Sequence, residues 1–459
     1  MACESIYDAR LPINGRSIAL YKLAKWKNGM AFKKADFSST GLPIIKIAEL
    51  NGGISDSTAW TEGDYGKDVF LTKGDYVFSW SGNPETSIDI FRYNLQDGWL
   101  NQHIFKVTPE TGLVREEYFF FLMKWLKPVF KKIAANKQTT GLGHVTLADL
   151  KRIQVTIPSF EVQERIERIL CPLDFKIRLN NQLNDYLFKL VSSVFAHRFS
   201  DNVNTTELKN VLSISTKALK PQEHADEIWE HYSIPAFDEK HRPIFEPASG
   251  IKSNKYQIDS ECILISKLNP STKRIWMPCC SSNNAVCSTE FIVYRPYLKE
   301  YKSFYYAAID SPRFTDYLLE HVSGSTGSRQ RAQPKDTLNY LMPNPDKEEI
   351  KDFCTFADPI YRHIQINERQ TAKLELLRET LLPKLMSGEI DVSKIDLIQP
   401  ANNHLVEKSL RTIIDRYKRH ARSWQPTRPT ALTLLSIEFS QPARSAYQPT
   451  LQSGSRSVG

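Results

Sequence analysis

The sequence predicts a mixed α/β (α+β) protein in which two similar modules alternate with two long coiled-coil helices, and three observations predict it. The stretch QTTGLGHVTLADLKRIQVTIPSFEVQER, Gln138 to Arg165, is a small-residue loop, a short apolar strand, a proline break and a helix start. The same order returns in GSTGSRQRAQPKDTLNYLMPNPDKEEI, Gly324 to Ile350, about 185 residues later, which marks an internal repeat. After each proline break the apolar residues fall at steps of three and four, the seam of a coiled coil. The richest apolar run, Tyr118 to Met123, stops at Lys124, far short of the roughly 18 residues a membrane helix needs.

The repeat extends through the elements between. In the first copy GDYVFSW (Gly74 to Trp80) reads as a strand running into the turn SGNPETS; WLNQHIFKV (Trp99 to Val107) reads as the next strand, and REEYFFFLMKWLKPVFKKIAANK as helix. The second copy gives ECILISK (Glu261 to Lys267) running into LNPSTKR, then VCSTEFIVY (Val286 to Tyr294), then helix from Tyr301 to Val322. The seam of the first long helix is Ile166, Leu170, Leu173, Ile177, Asn180, Asn184, Leu187, Val191 and Val194; that of the second is Ile350, Phe353, Ala357, Ile360, Ile364, Asn367, Thr371 and Leu374. An amphipathic helix lying on its own domain would not need so narrow a stripe, nor asparagine within it. In paired helices a buried Asn sacrifices stability and fixes register, so the two helices are expected to pair and Asn184→Leu is expected to raise thermal stability.

Composition narrows the class. The chain has 459 residues, 41% apolar and 24% charged, as expected for two or three globular domains. Its seven cysteines are scattered, which suits reduced thiols and a cytoplasmic protein; Cys279, Cys280 and Cys287 cluster without the histidine or second cysteine pair that would complete a metal site. Of the net charge of +8, the segment from Ala401 contributes nine Lys/Arg against three Asp/Glu, leaving the body near +2. Nucleic-acid binding must therefore rest on local patches.

Enzyme signatures are missing: there is no P-loop, no His-Glu-x-x-His and no Gly-x-Ser-x-Gly. Asp238, Glu239 and Lys240 form only a faint nuclease-like triad. What the modules offer instead is polar loops, which suit contact with phosphates and base edges. The candidates are Ser81, Asn83, Gln102, His103, Gln138, Thr139, Thr140 and His144 in the first copy, and Lys267, Asn269, Lys273, Arg274, Ser325, Thr326, Arg329, Gln330 and Arg331 in the second. Arginine can contact guanine and glutamine adenine in bidentate fashion; turn formation and helix capping are the competing roles of such residues.

These stretches resemble a known family. IPSFEVQERIERILCPLDFKIRLNNQL (Ile157 to Leu183), GDYVFSWSGNPETS, GWLNQHIFKV and above all LLRETLLPKLMSGEIDV (Leu376 to Val392) are similar to segments of the specificity subunits of type I restriction–modification systems. The resemblance covers roughly residues 17 to 392 and implies two target-recognition domains (1–158 and 201–345) related by a pseudo-twofold repeat. Between and after them come antiparallel helices (159–200 and 346–392), with Ile166, Leu170, Leu173, Ile177, Asn180, Asn184, Leu187, Ile350, Ile360, Ile364 and Asn367 as interface residues. It further implies a non-catalytic chain that reads a bipartite, gapped site in double-stranded DNA, with two methyltransferase subunits and restriction/translocase subunits as partners. No cofactor is expected in the chain itself; S-adenosylmethionine, ATP and Mg2+ belong to the partners. The basic segment 393–459 lies beyond the family's usual end and reads as disordered. A stand-alone bipartite repressor and a nuclease are the alternatives.

Overall fold

The computed structural model describes residues 6–9, 14–137, 141–323 and 330–396, which divide into two compact units. One comprises the chain up to Asn180 with the residues from Gln370 onward; the other is Asn181–Arg369. The basic segment beyond 396 lies outside the described residues. Helix and strand are mixed throughout, as the sequence predicts, and no helix among the described residues is long and apolar enough to cross a membrane.

In the first unit β1 (Ala24–Asn28), β2 (Tyr76–Ser79), β3 (Asp89–Arg92) and β4 (Ile104–Pro109) form an antiparallel sheet in the order β1-β4-β2-β3. All four residues of β2 are buried, because the sheet is covered on both faces. Successive side chains alternate between the faces. Phe78 joins Phe119, Phe121 and Phe130 from the helices Glu116–Trp125 and Lys127–Asn136, whereas Val77 meets Ile45, Leu71 and Leu100 of a second small sheet. The run Trp99 to Val107, read as one strand, is two: Gly98–Leu100 pairs in the second sheet and β4 in the first, joined by a turn at Asn101–His103. One apolar run thus serves both layers.

The second unit repeats this topology. Strands β5 (Leu212–Ser215), β6 (Ile263–Ser266), β7 (Ile275–Trp276) and β8 (Phe291–Pro296) are ordered β5-β8-β6-β7, again antiparallel. The run Val286 to Tyr294 also divides, into Ala285–Ser288 and β8. Ile263 and Ile265 face a core with Phe304 and Phe314 from the helices Lys302–Ile309 and Pro312–Glu320, while Leu264 faces Trp276 and Phe291.

The long helices are α1 (Phe160–Phe199) and α2 (Lys347–Met386), each of 40 residues, or about 60 Å. Helix α2 ends at Met386, short of residue 392, where Gly388 takes a φ of 75° that residues other than glycine rarely adopt. Within the first unit, Ile166 and Leu170 of α1 are fully buried with Leu385 and Met386 of α2. Leu173 is only half-buried, and the inward position goes to Asp174. The Asp174 carboxylate accepts hydrogen bonds from Arg92 of β3 and Arg378 of α2, both at 2.8 Å. Burial alone would raise its pKa, but Arg378 and Arg92 hold it below the usual value. The Arg92 guanidinium also pairs with Glu117 and lies 3.7 Å from the centre of the Phe120 ring. Further along, the Asn180 side-chain amide donates to Gln370 Oε1 (3.0 Å) and Thr371 Oγ1 (3.3 Å), and Ile177 is buried. Rising numbers on α1 meet falling numbers on α2, so the pairing is antiparallel. Near the start of α1, Arg165 donates to the carbonyls of Val392 (2.7 Å) and Ile395 (2.6 Å), fixing the segment after α2.

Within the second unit, Asn367 Nδ2 donates to Asn184 Oδ1 (2.8 Å) and Asn184 Nδ2 to the Ile364 carbonyl (3.4 Å). Leu187, Val191, Phe195 and Phe199 of α1 share a core with Ile350, Phe353, Ile360 and Ile364 of α2. Phe195 and Phe199 contact Phe353 at ring-centroid distances of 5.5 and 5.7 Å. A cavity of about 20 Å³ is lined by Phe188, His241, Trp276, Tyr306, Tyr361 and Glu368, among others. Burial pushes the Glu368 carboxyl up to about 8, against the opposing pull of Arg242 and Arg369.

The Asn184–Asn367 bond reverses the expectation for Asn184→Leu. Alone, that change leaves the buried Asn367 amide without its acceptor, and urea unfolding should show a loss of about 1–3 kcal/mol; Asn184→Leu with Asn367→Leu should recover at least the wild-type value. Glu368 gives a pH signature. Between the ordinary carboxyl pKa and about 8, only the folded state keeps the proton, so stability falls as pH rises across that window, by up to roughly 1.4 kcal/mol per unit. Glu368→Gln removes the effect, and its melting-temperature advantage over wild type should grow from pH 5 to pH 8.

Candidate nucleic-acid interface

At the end of β2 the chain enters a short strand, Ser81–Gly82, that pairs antiparallel with Gly143–His144. Gly82 has a φ of 134°, and a Cβ there would stand 2.6 Å from the Ser87 Cβ, so the turn requires glycine. Three main-chain segments meet at Trp80. Its N–H donates to the His103 carbonyl (3.3 Å), and its carbonyl accepts from the Val145 N–H (2.8 Å). The Trp80 ring lies 5.8 Å from the His103 ring and 6.3 Å from that of His144, while its Nε1–H donates to Asn28 Oδ1 (3.0 Å). Ser81 Oγ and His144 Nδ1 are 3.3 Å apart, as are Gln102 Nε2 and His103 Nε2. Ser81, Gln102, His103 and His144 are thus gathered round Trp80. Asn83 is exposed just beyond, where its Oδ1 accepts from the Glu85 N–H (2.9 Å) and shapes the turn. Gln138, Thr139 and Thr140 lie outside the described residues.

The loop that ends in His144 is anchored from below. Asp149 accepts from Lys137 (2.5 and 2.6 Å), Tyr7 (2.9 Å) and the Thr146 N–H (2.8 Å). Burial acts to raise its pKa, but Lys137 and Thr146 hold the carboxylate below the usual value. A charged anchor therefore fixes both ends of the loop.

The second unit builds the same frame. The Lys267 N–H donates to the Glu290 carbonyl and the Lys267 carbonyl accepts from the Ala332 N–H, both at 2.9 Å. Leu268 bridges Arg331, and the Asn269 N–H donates to the Gln330 carbonyl (2.9 Å). Every one of these residues corresponds to a residue of the first frame at one constant offset, that between Trp80 and Lys267. Asn269 stands where Gly82 does and adopts a φ of 47°, which asparagine tolerates. Its buried Oδ1 has no hydrogen-bond partner among the described residues. Arg331 Nε donates to Glu290 Oε2 (3.1 Å).

The other candidates of this copy are placed differently. Lys273 bonds to the Asp310 carboxylate (2.7 Å) and carbonyl (2.9 Å). Arg274 forks onto Asp238 (2.6 and 2.9 Å), which engages the acid of the nuclease-like triad. Ser325, Thr326 and Arg329 lie outside the described residues. Sequence reading passed over Trp80, Asn28 and Glu290; the signal that finds them is the offset between the copies. Along the outer edge of β1, a groove of about 600 Å³ is lined by Tyr21, Lys22, Lys25, Trp26, Lys27 and Glu110, among others, and β1 ends at the Asn28 that holds Trp80.

One main-chain frame is built twice, presenting aromatic and polar side chains in the first unit and charged and polar ones in the second, the layout of a modular protein. Residues 17–187 match the family described as Type I restriction modification DNA specificity domain. The Type I restriction enzyme MjaIX specificity subunit of Methanocaldococcus jannaschii is 22% identical over 327 residues, 64% of this chain and 73% of that protein. The HindI specificity subunit of Haemophilus influenzae is 30% identical over 134 residues, 28% of this chain and 29% of that protein. In fold, the chain is similar to the crystal structure of a type I restriction–modification S subunit from M. genitalium, with a TM-score of 0.50 at 15% identity, covering 82% of this chain and 98% of that one. Residues 17–187 thus carry a type I DNA specificity domain, and the chain as a whole is similar to type I restriction–modification specificity subunits.

Proposed function

We propose that this chain is the non-catalytic DNA-recognition subunit of a cytoplasmic type I restriction–modification complex and that it reads a bipartite, gapped site in double-stranded DNA, one half per unit. The observation that carries this reading is the repeated frame, in which the hydrogen bonds between segments are the same and the presented side chains differ. Two different readers on one scaffold suit a target with two unlike halves. The paired helices set the length of unread DNA between the halves and dock two modification methyltransferase subunits, to which restriction/translocase subunits add. Those partners use S-adenosylmethionine, ATP and Mg2+, and this chain needs none of them to read DNA. The lysines of the groove beside β1 supply sequence-independent phosphate contacts.

Two measurements test this. Methylome sequencing of cells carrying this chain with its modification partners should show a two-part methylation motif with a fixed gap, and a single contiguous motif would count against two readers. Inserting seven residues after Asn184 in α1 and seven opposite them in α2 keeps the seams in phase and adds about 10.5 Å. The methylated motif should then keep both halves and widen its gap by about three base pairs; an active variant with an unmoved gap would refute the helical ruler. The phosphate role is separable. Lys25→Ala and Lys27→Ala should weaken binding equally for all sequences, each lowering the slope of log K against log salt by about 1.

A further inference from the structure

We propose that the three frame positions are the specificity-determining positions of each unit: Trp80, His103 and His144 in the first, Lys267, Glu290 and Arg331 in the second. The second trio then reads a G·C base pair from the major groove. This rests on the DNA-recognition reading above and adds which residues discriminate between sequences.

The argument compares what the two copies keep with what they change. At the common offset, residues that point inward keep their character: Phe78 and Ile265, Phe105 and Ile292, Val145 and Ala332 are all buried and apolar. Ser79 and Ser266 are both serine and both buried. Immediately beside them, the three positions on the frame change completely. Trp80 becomes Lys267, His103 becomes Glu290 and His144 becomes Arg331, although the main-chain bonds that hold these positions are the same. A position whose role was to hold the frame would show the restraint of its neighbours. These three are half-buried or exposed and come from separate segments, a strand end, a hairpin and the strand after the loop. The main-chain bonds that bring these three segments together do not depend on the identity of the side chains they carry.

The chemistry of each trio follows. Arg331 and Lys267 donate to acceptors such as guanine O6 and N7, and the Glu290 carboxylate accepts from an amino group such as cytosine N4, so together they match a G·C pair. The Arg331–Glu290 contact at 3.1 Å holds the guanidinium in place before DNA arrives. The first trio has no permanently charged group and offers a broad ring with two imidazoles, which suits the apolar thymine methyl and single hydrogen bonds.

The test selects full-length wild-type and variant protein on a randomised double-stranded DNA library and sequences the retained DNA. Glu290→Gln and Arg331→Gln should each relax preference at a G·C position in one half-site, by roughly ten- to a hundredfold, with the other half unchanged. Trp80→Ala and His144→Ala should do the converse, and in every variant the untouched half reports that the protein is folded. If wild type enriches no sequence, the recognition reading itself fails. If wild type enriches a motif that Glu290→Gln and Arg331→Gln leave unaltered, recognition stands and this inference is overturned. Alteration of the same half by both trios, relaxation at an A·T position by the second trio, or loss of both halves in every variant would also overturn it.

Discussion

Each pairing of α1 with α2 is closed by buried polar groups that have one set of partners, and the rest of the structure depends on that register. An apolar seam alone tolerates a slip of a heptad, because leucine packs against leucine in either frame. Asp174 does not: displaced, it would lose Arg92 and Arg378 and stand as an uncompensated buried charge, a penalty of roughly 3–5 kcal/mol. Asn180 with Gln370 and Thr371 acts in the same sense, as does Asn184 with Asn367 in the other unit. In the first unit the constraint reaches the sheet directly, because Arg92 is the last residue of β3 and is stacked on Phe120. Helix register and sheet position are thus set by one carboxylate.

The frames separate stability from presentation. Hydrogen bonds between main-chain groups hold Trp80 to His103 and Val145, and Lys267 to Glu290 and Ala332; such bonds make no demand on side-chain identity. The inward side chains fill two cores, one on each face of the sheet, and are restrained by packing at near-crystalline density, where even one methylene is felt. Lys267, Glu290 and Arg331 stand outside these cores, whereas Trp80 still rests one face on Phe105. A scaffold of this kind can change what it presents without changing how it folds.

Much of the fold was legible in the sequence because it rests on periodicity. The repeat, the two long helices and the buried Asn180, Asn184 and Asn367 follow from spacing alone. The division of Trp99–Val107 into two strands was not legible, since a buried strand and a buried strand pair give the same continuous apolar run. Asp174 was hidden for the opposite reason: a search for apolar seams selects Leu173 and skips the carboxylate beside it, whose burial depends on two arginines far away in sequence. At the interface, residue type misled in both directions. Lys273 and Arg274 look like ligands for DNA and are engaged by Asp310 and Asp238, whereas Trp80 and Glu290 look like core and surface and stand on the frame.

That engagement bears on affinity. With a body near +2, and with Lys273 and Arg274 each paired to a carboxylate of the same unit, these two residues offer little charge to a phosphate backbone. Non-specific DNA binding scales with the number of phosphates neutralised, so a body of this kind holds arbitrary duplex weakly. Contacts to base edges then make up a larger share of the binding free energy, which raises the ratio of specific to non-specific affinity. That ratio, multiplied by the frequency of competing sites, decides where such a protein rests on a genome. The paired charges therefore favour discrimination over raw affinity, as suits a chain whose task is recognition.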